Sequence, residues 1–127
     1  MLRPRAGPDI ALARGRQATH RSVRMGDIVI VAYRPKPGRE AALAALVASH
    51  VANLRAWGLA TDLPETTMRA GDGTLLEVFE WHEGATVKAH SDPRVLAMWG
   101  QFFAVGDIVG LRAVAETDEL FATFAPV

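Results

Sequence analysis

The chain has 127 residues, 50% of them hydrophobic and 22% charged, with fourteen basic and fourteen acidic side chains. That size and composition fit one globular domain with a real core and exclude wholesale disorder. Without cysteine there is neither a cystine framework nor thiolate chemistry, and no apolar run approaches the ~20 residues of a membrane span, so a soluble, cytoplasmic protein is expected.

The formal charge of zero is unevenly spread. Residues 1–24 hold six arginines (Arg3, Arg5, Arg14, Arg16, Arg21, Arg24) against Asp9 alone, +5, which leaves −5 for the remainder. A mildly acidic body argues against nucleic acid as a partner, because neutralising phosphates supplies most of the affinity in such complexes. The basic stretch contains Pro4, Gly7, Pro8 and Gly15 and no sustained period, so it reads as an irregular arm. A transit segment, a functional basic arm and a non-essential extension compete for it. The last is favoured, with the folded domain spanning residues 25–127.

Asp27 to Arg34 is a β-branched run with apolar residues on both faces, which predicts a strand covered on both sides. Pro35-Lys36-Pro37-Gly38 ends it with turn chemistry. From Arg39 to Trp57 the spacing of Leu43, Leu46, Val47, His50, Leu54 and Trp57 predicts an amphipathic helix stopped by Gly58. Glu65 to Ala70, the hairpin signal Gly71-Asp72-Gly73 and Thr74 to Trp81 read as two paired strands. The second sets Leu75, Glu77, Phe79 and Trp81 on one face and Leu76, Val78 and Glu80 on the other.

Gly84 turns the chain into a helical run carrying His90. Asp92-Pro93 is an N-cap with proline at the first helical position, so the helix breaks there and restarts to about Val105. Its apolar face is Val95, Met98, Trp99 and Phe102, with Gly106 as its stop. Gly110 to Thr117 is a short helix or an extended connection, and Leu120 to Ala125 a final strand. The order β-α-β-β-α-β predicts an α+β, ferredoxin-like domain: a four-stranded antiparallel sheet with two helices on one face. The opposite face holds Leu76, Val78 and Glu80, and the first strand has Ile28, Ile30 and Ala32 on one side and Val29, Val31 and Tyr33 on the other, neither set fit for water, which predicts a homodimer with sheets face to face.

Four groups stand out against ordinary structural roles. His90 sits where two helical pieces meet, and is either a site base or a bond to backbone freed at the break. His50 lies on the apolar helix stripe, as a buried, satisfied histidine or a base. Glu77, among Leu75, Phe79 and Trp81, either pairs with Arg69 across the hairpin or is a site carboxylate with a raised pKa. Tryptophans and phenylalanines here are core by default, and only a cavity between helix and sheet makes them ligand walls. His82 is expected in solvent, His20 lies in the arm, and Glu80 is assigned to an interface pair. Metal-binding, phosphate-loop and nucleophile-elbow spacings are absent from the sequence.

The strand Glu77-Val78-Phe79-Glu80-Trp81, the Ala89-His90 pair followed by Ser91-Asp92-Pro93-Arg94-Val95, and the aromatic helix after it resemble the antibiotic biosynthesis monooxygenase domain. The likeness covers Asp27 to Val127 and implies a small dimeric α/β barrel. Members that oxidise anthrone- or quinol-like aromatics use no metal and no flavin. A base takes a proton from the substrate, and the resulting anion itself reduces oxygen. The resemblance therefore implies a cofactor-free enzyme with His90 or His50 as the base, beside which Glu77 stands as the catalytic candidate read from the strand face. Phe79, Trp81, Trp99 and Phe102 would be cavity walls, and Tyr33 or Arg94 would bind oxygen. Haem-degrading relatives carry an asparagine on the first strand and a histidine on the second helix; neither is present here. A second histidine that quinol-oxidising relatives often carry past the turn is Pro93-Arg94 in this chain.

Overall fold

In the computed structural model, which describes residues 26–127, the β-branched run lies within β1 (Gly26–Pro35). The expected basic arm over residues 1–24 and the domain start at residue 25 lie outside the described residues. β1 is followed by α1 (Glu40–Ala56), the hairpin β2 (Thr66–Arg69) and β3 (Leu75–His82), then α2 (Ala85–Ala89) and α3 (Pro93–Val105). The two helical pieces part where expected. Asp92 is the N-cap of α3, its carboxylate accepting from the Arg94 N–H at 2.9 Å with Pro93 in the first turn. Gly58, with φ of +75°, follows the end of α1 in the left-handed conformation a C′ glycine supplies.

The C-terminal part departs from expectation. Gly106 is not simply a helix stop. It opens a strand, β4 (Gly106–Val109), whose residues pair with Ala32 to Pro35 of β1. Gly106 suits the place because a Cβ there would sit 2.9 Å from the Arg34 carbonyl oxygen. The expected strand over Leu120 to Ala125 reduces to a two-residue pairing, β5 (Ala125–Pro126), on the far edge beside β2. The sheet is antiparallel with five strands, in the order β4-β1-β3-β2-β5, and not four. Between β4 and β5 the chain makes two 3₁₀ turns, Leu111–Ala113 and Ala115–Asp118.

One sheet face carries the main core. Leu43, Val47, Val51 and Leu54 of α1, Ala85 and Ala89 of α2, and Val95, Met98, Phe102 and Val105 of α3 pack with Tyr33, Leu75, Phe79 and Trp81. At ~25 cal/mol per Å² of apolar surface removed from water, this layer is the main source of stability. The other face is covered in part by the chain itself. Val114 and Phe124 close over Ala32, Ala70, Leu76, Met68 and Val109. Arg34 fixes that cover by donating to the Ala113 carbonyl at 2.9 Å. Ile28 and Ile30 stay 61% and 47% exposed, so β1 is covered on both sides only toward its C-terminal end.

Candidate functional site

Alternation along β1 and β3 aims Val29, Val31, Tyr33, Phe79 and Trp81 at the helix layer, but the helices do not fill the space above them. A cavity of about 470 Å³ remains, walled by these five with Ile108 of β4, Thr86 of α2, His90, and Leu96, Trp99, Phe102 and Phe103 of α3. His50 reaches it from α1. The volume falls in the range of small-molecule sites. Among the described residues, no lysine or arginine lines it.

Glu77 does not take the arginine partner that one of the two expectations gave it. It faces the helices with its side chain fully buried, and its partners come from β1 and α1, not from Arg69, which lies opposite Leu75 in the hairpin register. Tyr33 donates its hydroxyl to Glu77 Oε1 at 2.9 Å, and His50 Nδ1 lies 2.8 Å from the same oxygen. Glu77 Oε2 has no hydrogen-bond partner. On the other side of the imidazole, the Trp99 indole N–H points at His50 Nε2 at 3.1 Å.

An indole N–H can only donate, so His50 Nε2 accepts, and the proton of the neutral ring resides on Nδ1, where it is donated to Glu77. The result is a continuous polar line, Trp99 to His50 to Glu77 with Tyr33 joining at the carboxylate, through an otherwise apolar layer. Burial first, then the adjacent Glu77 charge and its hydrogen bond, push the Tyr33 phenol well above its ordinary value, which keeps it a donor.

His90 is fixed in another way. Its Nδ1 lies 2.7 Å from the Thr86 carbonyl oxygen four residues earlier, so that nitrogen carries the donated proton. The backbone bond anticipated at the helix break is therefore present. It leaves Nε2 with an unused lone pair on an exposed ring that lines the cavity, edge-on to Trp99 at 5.2 Å between centroids.

The cavity brings together Tyr33, His50, Phe79, Trp81, His90, Trp99 and Phe102 of the residues singled out in the sequence, with Glu77 directly behind them. Arg94 is elsewhere. It chelates Asp92 with contacts of 3.1 and 2.7 Å and lies over the Trp57 ring at 5.1 Å. That hydrogen bonding, led by the Arg94 side chain, lowers the Asp92 carboxyl to about 2. Glu80, assigned to an interface pair, accepts from Thr61 Oγ1 at 2.7 Å. Thr86, Leu96 and Ile108 are cavity residues that sequence reasoning missed. The i, i+4 spacing of Thr86 to His90 was the available signal for the first; Ile108 lay hidden in an unforeseen strand.

Among the described residues, no cluster of three or more His, Cys, Asp or Glu is placed to hold a metal ion, and no helix is long and apolar enough to cross a membrane. Comparison of the chain with protein-family models, with curated proteins and with solved structures gave no match.

Proposed function

We propose that this protein binds a small, uncharged, electron-rich aromatic and oxidises it with molecular oxygen without a cofactor, as a member of the antibiotic biosynthesis monooxygenase type. The observation that carries this reading is the aromatic-walled cavity of about 470 Å³ with His90 Nε2 unspent at its rim. The strand order supports the fold half of the reading: β4-β1-β3-β2 is the order of a ferredoxin-like sheet, with β5 as an added edge strand. Ile28 and Ile30, exposed on the face away from the helices, support a homodimer of the α/β-barrel kind with that face as its seam.

The chemistry asks little of the protein. His90 Nε2 takes the acidic C–H or O–H proton of an anthrone or quinol, a step for which a neutral imidazole is suited near pH 7. The carbanion gives an electron to oxygen, the radicals combine at carbon as a peroxide anion that His90 protonates, and the hydroperoxide then loses its remaining C–H proton and its outer hydroxide as water. For an anthrone the balance is that the ring methylene and one molecule of dioxygen become a ring carbonyl and one molecule of water. The apolar walls exclude bulk water from the anion, and His90, neutral again, takes the second C–H proton and passes it to the departing hydroxide. Oxygen uptake with dithranol, abolished in His90→Ala with the far-ultraviolet circular dichroism unchanged, is the expected result. Uptake no faster than buffer across a panel of anthrones and quinols would sink the oxygenase reading.

A second reading, a ligand-binding dimer without catalysis, is favoured by one observation: Trp99 already occupies the His50 lone pair, so one of the two imidazoles is spent on protein contacts. Binding of the same aromatics without oxygen uptake is its signature.

A further inference from the structure

The polar line behind the cavity has one end in the protein interior and the other in the cavity wall. We propose that His50 Nε2 is a masked docking point for a ligand hydroxyl, held in its acceptor form by Glu77 and covered by the Trp99 N–H. A hydroxylated aromatic engages it by taking the place of the indole. This inference rests on the cavity being a ligand site, as proposed above, and adds which atom selects the ligand.

Three observations carry it. His50 and Trp99 both line the cavity, so the 3.1 Å bond between them lies in its wall and not behind it. The acceptor character of Nε2 is imposed from the far side, because Glu77 Oε1 takes the Nδ1 proton at 2.8 Å and, as a carboxylate, donates none in return. Third, the mask is the accessible member of the pair: Trp99 is only partly buried, beside exposed Phe103 and His90, whereas His50 and Glu77 are 2% and 0% exposed. A displaced indole leaves a buried acceptor that an ether or hydrocarbon cannot satisfy, and leaving it unsatisfied costs more than the bond itself contributes. An ether or hydrocarbon therefore leaves the indole where it is, and only an aromatic carrying a free hydroxyl can take its place. Glu77 acts as a positioning residue, through His50.

The test compares 1-naphthol with 1-methoxynaphthalene, which differ in the donor alone, by calorimetric titration of the full chain. In Trp99→Phe the ring wall remains but the mask is gone, so the preference for naphthol over the ether rises about tenfold relative to wild type, one hydrogen bond's worth. The wild-type chain supplies a second readout: naphthol shifts the indole N–H resonance of Trp99, and the ether leaves it in place. An unchanged preference in Trp99→Phe, or a preference abolished by His90→Ala, overturns the docking role while leaving the cavity as a ligand site. Failure of both aromatics to bind wild type and variant overturns the function proposed above together with this inference.

Discussion

His50 Nδ1 and Glu77 Oε1 meet at 2.8 Å between a helix and a strand twenty-seven residues apart, with both side chains out of reach of solvent. Removing one member leaves the other buried without its partner. His50→Leu is expected to lower unfolding stability by about 3 kcal/mol or more. His50→Leu/Glu77→Leu together should cost clearly less than the two single changes added, since the double change removes both polar groups. Urea unfolding of the four proteins gives the cycle, and strict additivity would rule out the coupling.

Tyr33 predicts the alkaline limit of the fold. Its phenol is raised in the folded protein from an ordinary value of 10.0, by burial above all. Below pH 10 both states keep the proton and stability is unaffected. Above it the unfolded chain ionises while the folded one resists, so stability falls as pH rises. Tyr33 is the single tyrosine in the sequence, so the tyrosinate absorbance band reports this residue alone. The band should appear together with loss of circular dichroism, and Tyr33→Phe should remove the extra alkaline slope while costing about 1 kcal/mol at neutral pH. Tyrosinate appearing in the folded protein near pH 10 would contradict the burial argument.

Two glycines should respond to alanine in opposite directions. At Gly26, with φ of +157°, a Cβ would fall 1.6 Å from the Trp81 carbonyl oxygen, which β1 cannot yield without losing its register with β3. Gly26→Ala should cost about 2 kcal/mol or more. At Gly100, inside α3, a Cβ meets nothing within 4 Å. Gly100→Ala should add roughly 0.5–1 kcal/mol from helix propensity. Thermal melts of both variants decide it; a neutral Gly26→Ala would refute the close approach.

The cavity should discriminate by charge. Among the described residues no lysine or arginine lines it, and the buried Glu77 lies directly behind the wall. A carboxylate entering would leave water without compensation and face a like charge at low effective dielectric. 1-Naphthoate at pH 7 should bind at least about tenfold more weakly than 1-naphthol, measured by the same titration. Equal affinities would show a cationic or water-filled region of the site.

Local signals carried much of the fold. The β-branched run of β1, the apolar stripe of α1, the Gly71-Asp72-Gly73 hairpin and the Asp92-Pro93 cap each act within a few residues, and all four elements appear where expected. The failures are long-range. Gly106 carries the composition of a helix stop, yet the edge of β1 is what makes the next residues a strand, and no local pattern encodes that edge. Val114 looks like part of a connection until Leu76 and Ala32 present a surface for it to cover. Glu77 was legible as an oddity because a lone carboxylate interrupts an apolar face. Its partners were not, since they depend on how deep α1 sits over the sheet. His90 was the easier case, because its partner Thr86 lies on the same turn of chain.

The outer borders of the sheet have a consequence for how the molecule meets copies of itself. β4 offers only four residues before Gly110, and β5 only two, one of them Pro126 with no N–H to give. β4 and β5 are thus poor templates on which another chain could add a ladder, although β4 covers only Ala32 to Pro35 and leaves Ile28 to Val31 of β1 outside this protection. The apolar surface of β1 that stays open, at Ile28 and Ile30, lies on the broad face of the sheet and not along these two rims.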